Sequence, residues 1–394
     1  MFSPLANALD LNSRLTIGRL VSTPLIEGVW ALLEPADIQN HAPQLCWIKE
    51  DCLACVWMAG GQEGTSGMSI YMSELKDGRG RWTKPKNISQ DKNRSEQNPL
   101  LFLDGDGKLQ LVHTAQCSRE LEDNSWQSQG SSFSMQWTAV LRSQNRKLQG
   151  GRWSKANNLL DESAFCRHPP YRRVDGSFLL PIYRSLETGG AFGHDFSQVL
   201  ILGNDGKSIE ACIDVPNSIG RVHGSIVISS DSKNLLQFFR SRLADRIYCS
   251  IGNLDGTSWT EPTPTNLPNN NSSIQAYRLA SGKLAMIFNR FCLVDEDCDA
   301  VKPWGEAKWP RTRWPLSIAI SDDDGCSWPW VRDIDTGYGF CGLENWQLNG
   351  QLAYPSLVEG YPGDLHIAYS WAGRRAIRYL YLKEENIIGY STDR

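Results

Sequence analysis

The chain alternates between short apolar runs and polar turns along nearly its whole length. The apolar runs are rich in Val, Ile, Leu, Phe and Tyr, and they are bounded by Gly, Asp, Asn and Ser, which is the composition of strands and the turns that join them. Hardly any stretch shows the 3.6-residue spacing of an amphipathic helix. This pattern predicts an all-β protein.

One unit recurs six times: a short apolar run, a polar turn and a second apolar run. The turns of the six copies lie near residues 51, 107, 176, 233, 282 and 363. These intervals suit one four-stranded blade with its loops, so they predict a six-bladed β-propeller. We expect a single domain over residues 1–394 with a repeat core at about 38–382. The segment 20–30 is expected to supply the strand that closes the ring, which removes a free sheet edge.

Composition narrows the possible partners. The chain has 394 residues, 41% of them hydrophobic, with a net charge of −4 and no dominant run of Lys and Arg, so we expect no nucleic-acid partner. No apolar run reaches the length of a membrane span, and we expect no membrane partner. The N-terminus lacks a basic start followed by an apolar core, and the 11 cysteines are odd in number. Both observations lead us to expect a cytoplasmic location.

Two short motifs resemble metal sites. Cys52 and Cys55 form a CxxC pair, but it lies inside the apolar run 52–58 with no second pair nearby, so we interpret both as small core residues. The acidic tract 295–299 lacks the spacing of an EF-hand loop. The sequence therefore predicts no metal and no cofactor.

The start of each repeat is where we expect a site. In a propeller the first strand of each blade lines the central channel, so the residues that begin these strands converge. They are His41, Asn98, His168, His223, Ser273 and Tyr354. Three of the chain's six histidines are among them. Each alone is also compatible with a buried polar residue of the channel, but the set predicts a binding site.

The stretch Ser321–Trp328 reads Ser-x-Asp-x-Gly-x-x-Trp and follows the alternating run 316–320. In such a turn Ser and Asp side chains accept backbone N–H groups, Gly325 takes a positive φ, and Trp328 packs back as an apolar plug. This pattern is the Asp box, and with it the chain resembles the sialidase (neuraminidase) superfamily, most of all its BNR-repeat branch. The resemblance covers roughly residues 38–382. It is supported by segments 60–64, 266–276, 313–321 and 354–371.

The resemblance implies a set of site residues. Sialidases cleave a ketoside whose anomeric carbon bears a carboxylate, which arginines hold through forked, charge-assisted hydrogen bonds. The positions that match are Arg240 and Arg313. Tyr354 matches the nucleophile, for which a neutral phenol avoids repulsion with the carboxylate. Glu63 matches the residue expected to act as general acid and base.

The chain also departs from the pattern. His41-Ala42-Pro43 stands where the superfamily has Arg-Ile-Pro, and His223 stands where an acidic partner is expected. Glu344, near Tyr354 in sequence, is the candidate to replace that partner. His41, His168 and His223 are assigned to substrate binding together with the two arginines. Arg374 and Arg375, in a turn of the last repeat, are expected to be surface charges.

The resemblance and these residues together predict a sialidase-like exo-glycoside hydrolase acting on a sialic acid or a related acidic sugar. Its partner is then a carbohydrate. Two alternatives stay open: a non-catalytic propeller that binds a glycan or a protein, and a histidine-based polysaccharide lyase.

Overall fold

A computed structural model of the protein describes residues 17–23, 27–76, 80–89, 91–118, 137–148, 151–186, 192–293, 307–337 and 351–389. The strands, in chain order, are β1 (Val21–Ser22), β2 (Gly28–Leu32), β3 (Gln39–Lys49), β4 (Cys52–Gly60), β5 (Ser69–Lys76), β6 (Lys86–Ser89), β7 (Arg94–Leu103), β8 (Leu109–Cys117), β9 (Val140–Arg146), β10 (Asn157–Leu160), β11 (Phe165–Cys166), β12 (Tyr171–Arg172), β13 (Phe178–Arg184), β14 (Phe196–Leu202), β15 (Ile209–Asp214), β16 (Arg221–Ile228), β17 (Leu235–Ser241), β18 (Arg246–Gly252), β19 (Thr263–Pro268), β20 (Gln275–Arg278), β21 (Leu284–Asn289), β22 (Leu316–Ser321), β23 (Trp330–Asp335), β24 (Ala353–Glu359), β25 (Asp364–Trp371) and β26 (Ala376–Lys383). A short helix, α1 (Glu385–Ile388), follows the last strand.

These strands form six antiparallel sheets, which are the blades of a propeller. Blades 1 to 5 are built from consecutive strands: β3–β6, β7–β10, β11–β15, β16–β19 and β20–β23. Blade 6 combines β24, β25 and β26 with the N-terminal strands β2 and β1. The predicted all-β, six-bladed architecture is confirmed.

The N-terminal strand β2 joins the two ends of the chain. It pairs with β26 along its whole length, with Trp30 opposite Leu380 and Leu32 opposite Arg378. The outer part of the last blade is therefore supplied by the beginning of the chain. This arrangement covers the edge that β26 would otherwise expose.

The apolar core lies in layers between neighbouring blades. In one such layer Leu45 and Trp57 of blade 1 pack with Val358 and Tyr379 of blade 6. Cys55 belongs to this layer and Cys52 to the next, and neither forms a disulfide. Among the described residues no cluster of His, Cys, Asp and Glu could hold a metal ion. Within the same ranges, no helix is both long enough and apolar enough to cross a membrane.

The turn at Ser321–Trp328 shows why this stretch folds locally. Ser321 Oγ accepts the N–H of Gly325 at 2.8 Å, and Asp323 Oδ1 accepts the N–H of Ser327 at 2.8 Å. Gly325 has φ +88°, which a side chain would strain. Trp328 then packs against the core between blades 4 and 5. The turn fixes where β22 ends and β23 begins.

The innermost strands of four blades carry the same irregularity. Each has a shift of register near its start, and the residue inside the bulge has a left-handed backbone. These residues are Ala42 (φ 53°), Asn98 (φ 49°), His223 (φ 56°) and Tyr354 (φ 55°). A β-bulge turns a side chain away from the regular alternation of the strand. The bulges therefore set which side chains face the centre of the propeller.

Candidate active site

A cavity of about 190 Å³ lies at the centre of the propeller, at the end where the inner strands begin. All six blades contribute to its lining: Glu63, Gln97, Asn98, Gln116, Phe165, Tyr183, Phe192, His223, Arg240, Arg242, Trp309, Arg313, Tyr354 and Arg374. A second cavity of about 530 Å³ lies between blades 1 and 6 and is lined mainly by apolar and aromatic side chains. We take the central cavity as the candidate site because four arginines converge there.

Tyr354 lies at the centre of this cavity. Its hydroxyl oxygen accepts a hydrogen bond from Arg240 Nη1 at 2.8 Å, while Arg240 Nε donates to Asn271 Oδ1 at 2.7 Å. The Arg313 guanidinium carbon lies 6.0 Å from the centre of the Tyr354 ring. Burial alone would raise the pKa of the Tyr354 phenol, but the charges of Arg240 and Arg313 outweigh it and lower that pKa. The phenol is thus closer to ionisation than an ordinary tyrosine.

Arg167 holds the backbone of Tyr354 in place. Its side chain is buried, and Nη2 donates to the carbonyl oxygens of Tyr354 at 2.8 Å, Pro43 at 3.1 Å and Pro355 at 3.2 Å. It therefore ties together the inner strands of blades 1 and 6. Sequence reasoning missed this residue, although Arg167-His168-Pro169 has a proline at its third position, as His41-Ala42-Pro43 does.

Two histidines flank the Tyr354 ring. The ring centre of His41 lies 4.2 Å away and that of His223 lies 5.4 Å away. Burial lowers the pKa of His41, His168 and His223 well below 6.5, and the charges of nearby arginines lower it further. All three imidazoles are therefore neutral near pH 7.

Two ion pairs sit at the edge of the cavity. Arg242 donates to Asp195 through Nε at 3.0 Å and through Nη2, and both side chains are buried. Arg374 pairs with Glu63, where both side chains remain partly open to solvent. Arg240 and Arg313 complete the positive side of the cavity, and burial lowers the pKa of Arg313 only to about 10, so it stays charged at pH 7.

Aromatic rings line the cavity next to the arginines. Phe165 and Tyr183 stack with ring centres 4.9 Å apart, and Phe192 meets Trp309 edge to face at 5.5 Å. Trp309 also lies 5.4 Å from the guanidinium carbon of Arg240. The cavity thus combines guanidinium groups, which suit an anionic group, with neighbouring aromatic rings, which suit an apolar one.

The structure brings most of the predicted site residues together. Glu63, His223, Arg240, Arg313 and Tyr354 all line the cavity. The other predicted positions differ. His41 is buried behind Tyr354, with Nδ1 2.7 Å from Ser370 Oγ, and His168 is buried without lining the cavity. Glu344 lies outside the described residues.

Sequence reasoning did not place Arg374 in the site. Arg374 lines the cavity although a surface charge was expected, whereas Arg375 is exposed as expected. Arg242 was also missed. It lies two residues after Arg240, just beyond the end of β17 at Ser241, and both side chains line the cavity. That spacing is a signal which the sequence does contain.

The fold defines a class: this is a sialidase-like six-bladed propeller. Residues 51–367 match the model of the BNR repeat-like domain, and the chain belongs to that family. None of the curated proteins compared with the chain matches it.

Solved structures share the fold at low sequence identity. The NanB sialidase from Streptococcus pneumoniae is 11% identical with a TM-score of 0.65, over 90% of this chain and 70% of that one. A protein of unknown function from Dyadobacter fermentans is 15% identical with a TM-score of 0.66, over 92% and 100%. An α-L-arabinofuranosidase of Fusarium graminearum is 11% identical with a TM-score of 0.58, over 94% and 100%. At these identities the likeness concerns the fold.

Proposed function

We propose that this protein is an exo-glycoside hydrolase that removes a terminal sialic acid or a related acidic sugar. The observation that carries the proposal is the Tyr354 hydroxyl, which Arg240 holds at 2.8 Å in a cavity lined by four arginines. A carboxylate-bearing sugar matches the charge of this cavity. A phenol with a lowered pKa supplies a nucleophile beside that charge.

The proposed reaction has two steps. Arg240 and Arg313 hold the sugar carboxylate, and the Tyr354 oxygen bonds to the anomeric carbon while the glycosidic C–O bond breaks. The leaving oxygen takes a proton from Glu63. Glu63 then removes a proton from water, which attacks the anomeric carbon and releases the sugar from Tyr354. Glu344 remains our candidate for the base that accepts the phenol proton.

One observation favours a second candidate, a propeller that binds acidic sugars without cleaving them. Glu63 is ion-paired with Arg374, and a carboxylate in such a pair is held in its ionised form. A general acid must carry a proton, so Glu63 needs a change of partner before it can act. The histidine-based lyase has weaker support, because His41 and His168 do not line the cavity.

The test is a release assay with an umbelliferyl sialoside and a panel of acidic and neutral aryl glycosides. We expect wild-type protein to release the aryl group from an acidic sugar. Tyr354→Phe is expected to lower the rate by at least about 100-fold, because the nucleophile is lost while the arginines that bind the substrate stay. The product of the wild-type reaction should be the intact sugar rather than an unsaturated one.

The matched control is Tyr361→Phe, since Tyr361 is 74% exposed and lies away from the central cavity. This variant should keep the wild-type rate. Release by Tyr354→Phe at the wild-type rate would refute the role of Tyr354. If no glycoside in the panel is cleaved but an acidic sugar binds, the binding propeller is the better account.

A further inference from the structure

The second cavity, between blades 1 and 6, has a volume of about 530 Å³ and lies apart from the candidate active site. Tyr354 lines the central cavity and Gly360 lines the second one, and β24, which runs between them, is about 20 Å long. The second cavity therefore lies at the other end of the propeller, where the inner strands finish. Its volume is within the range of small-molecule sites in proteins.

Most of the side chains that line the second cavity are aliphatic or aromatic. Leu53 and Tyr379 are buried in the core layer between blades 1 and 6. Trp47 meets His366 edge to face with ring centres 5.1 Å apart, and the His366 ring lies 5.3 Å from that of Tyr381. Such a lining favours a flat apolar ligand, because burying its rings removes apolar surface from water.

Gly360 leaves space beside the imidazole of His366. A Cβ at position 360 would lie 2.7 Å from His366 Nε2 and 3.1 Å from Trp47 Cζ2. Nδ1 of His366 lies 2.8 Å from the Tyr379 hydroxyl, whereas Nε2 has no hydrogen-bond partner among the described residues. Burial lowers the pKa of His366 to about 4, so this ring adds no positive charge at pH 7. It offers a ligand one neutral polar atom.

The charged residues that line the second cavity are three acids and one base: Glu50, Asp51, Asp364 and Lys76. The Asp364 carboxylate already accepts a hydrogen bond from Lys383 Nζ at 2.8 Å. Glu50 and Asp51 are exposed, and neither forms an ion pair with a described residue. Their charges are therefore available to a ligand. They favour a cation over an anion at this end of the propeller.

We propose that the second cavity binds a small organic cation, a flat apolar ring system that carries an ammonium group. The rings lie against the aromatic and aliphatic side chains, and the ammonium group lies near Glu50 and Asp51. This site is separate from the central cavity and does not depend on the proposed hydrolase activity.

The test uses three compounds that share one ring system and differ in charge: naphthylethylamine, naphthylethanol and naphthaleneacetate. Each is titrated into the full chain at pH 7, and binding is followed by ligand-detected NMR. Because the two free carboxylates are exposed, each step in charge should change the affinity by a factor of only about three. We expect the amine to bind most tightly and the acetate most weakly. Added salt should reduce this difference and leave the alcohol unchanged.

Removing the two free charges tests the preference for a cation. Glu50→Gln combined with Asp51→Asn should weaken binding of the amine about threefold and strengthen that of the acetate, while the alcohol changes less than twofold. The matched control combines Asp255→Asn with Asp322→Asn, two exposed acids of blades 4 and 5. This control should bind all three compounds like wild type.

Filling the cavity tests its location. Val29 lines the second cavity from β2, opposite Tyr381, and a tryptophan is compatible with a strand. Val29→Trp should weaken binding of the amine and the alcohol at least tenfold. Gly360→Ala is a smaller change whose Cβ takes up space beside His366 Nε2, and it should weaken binding at least threefold. Circular dichroism shows whether each variant is folded.

Three results would overturn the proposal. The first is that wild-type protein binds none of the three compounds. The second is that the amine binds no more tightly than the acetate, or that the double charge variant binds the amine like wild type. The third is that folded Gly360→Ala or Val29→Trp keeps the wild-type affinity while Arg240→Ala loses it, which would place the compounds in the central cavity.

Discussion

Tyr354 depends on its backbone as much as on its neighbours. A left-handed residue inside a β-bulge turns its side chain out of the regular alternation, and Arg167 holds the carbonyl of this strained residue. The sequence indicated Tyr354 through its place at the start of a repeat. It did not indicate the bulge, because Pro355 follows, and a residue before proline ordinarily adopts the β region.

Arg374 shows the limit of sequence reasoning at single residues. Arg374 and Arg375 are adjacent in a turn, and nothing in the sequence says which of them faces the cavity. The choice is made by Asn40, more than 300 positions away along the chain. Contacts of this separation are set by the closed ring and are not encoded in local pattern.

The buried side chain of His366 should make the stability of the fold depend on pH. It lies at the cavity between blades 1 and 6, with Nδ1 2.8 Å from the Tyr379 hydroxyl and with Tyr381 and Asp364 nearby. Burial lowers its pKa to about 4, below the 6.5 of an exposed histidine. Below pH 6.5 the unfolded chain therefore binds a proton at His366 that the folded chain does not bind. The folded state has its full stability above pH 6.5, and it loses stability as the pH falls towards 4.

The expected loss from His366 between pH 7 and pH 5 is about 2 kcal/mol of unfolding free energy. His366→Gln should show a shallower fall over this range, because it has no group that titrates there. Urea unfolding at several pH values measures both slopes. Parallel slopes for the two proteins would contradict the assignment.

The Ser321–Trp328 turn illustrates what the sequence predicts best at the level of elements. Its side chains satisfy backbone groups only a few residues away, so the motif contains nearly everything that the turn needs. The number of blades followed from the repeat in the same way. The four bulges did not, because they depend on pairing between strands rather than on residues next to one another.

Gly325→Ala tests this turn. At φ +88° an alanine is strained, and its Cβ would lie 3.1 Å from Trp328 Cζ2. We expect a loss of about 1–2 kcal/mol in the free energy of unfolding, measured by urea denaturation with an unchanged slope. Gly61→Ala is the control, because nothing lies within 4 Å of its added Cβ and its backbone is not left-handed. A similar midpoint for both variants would argue against a structural role of the turn.

The whole molecule depends on the pairing of β2 with β26. The site draws on every blade, so ring closure determines whether the arginines and Tyr354 meet. The sequence predicted the number of blades and a closing strand near residues 20–30. It could not give the register of that strand, which places Ala31 opposite Tyr379.

Ala31→Pro tests closure. Ala31 is buried in β2 between β1 and β26, and proline removes its N–H and crowds the neighbouring strand. We expect a loss of about 3 kcal/mol or more, together with weaker sugar binding. Ala31→Gly keeps the N–H and should cost about 1 kcal/mol without affecting binding. Thermal unfolding and titration of the same samples measure both effects, and equal results for the two variants would contradict the account of closure.

The most direct test of the proposed mechanism is covalent trapping at the site. The probe is a sialic acid fluorinated at the anomeric carbon and at the adjacent carbon. Attack by the nucleophile expels fluoride from the anomeric carbon, and the second fluorine slows hydrolysis of the intermediate. Mass spectrometry of the intact protein and of its peptides then identifies the residue that carries the sugar. The account predicts one sugar attached to Tyr354 and none in Tyr354→Phe. An adduct on another residue, or turnover of an acidic glycoside with no adduct at all, would contradict it.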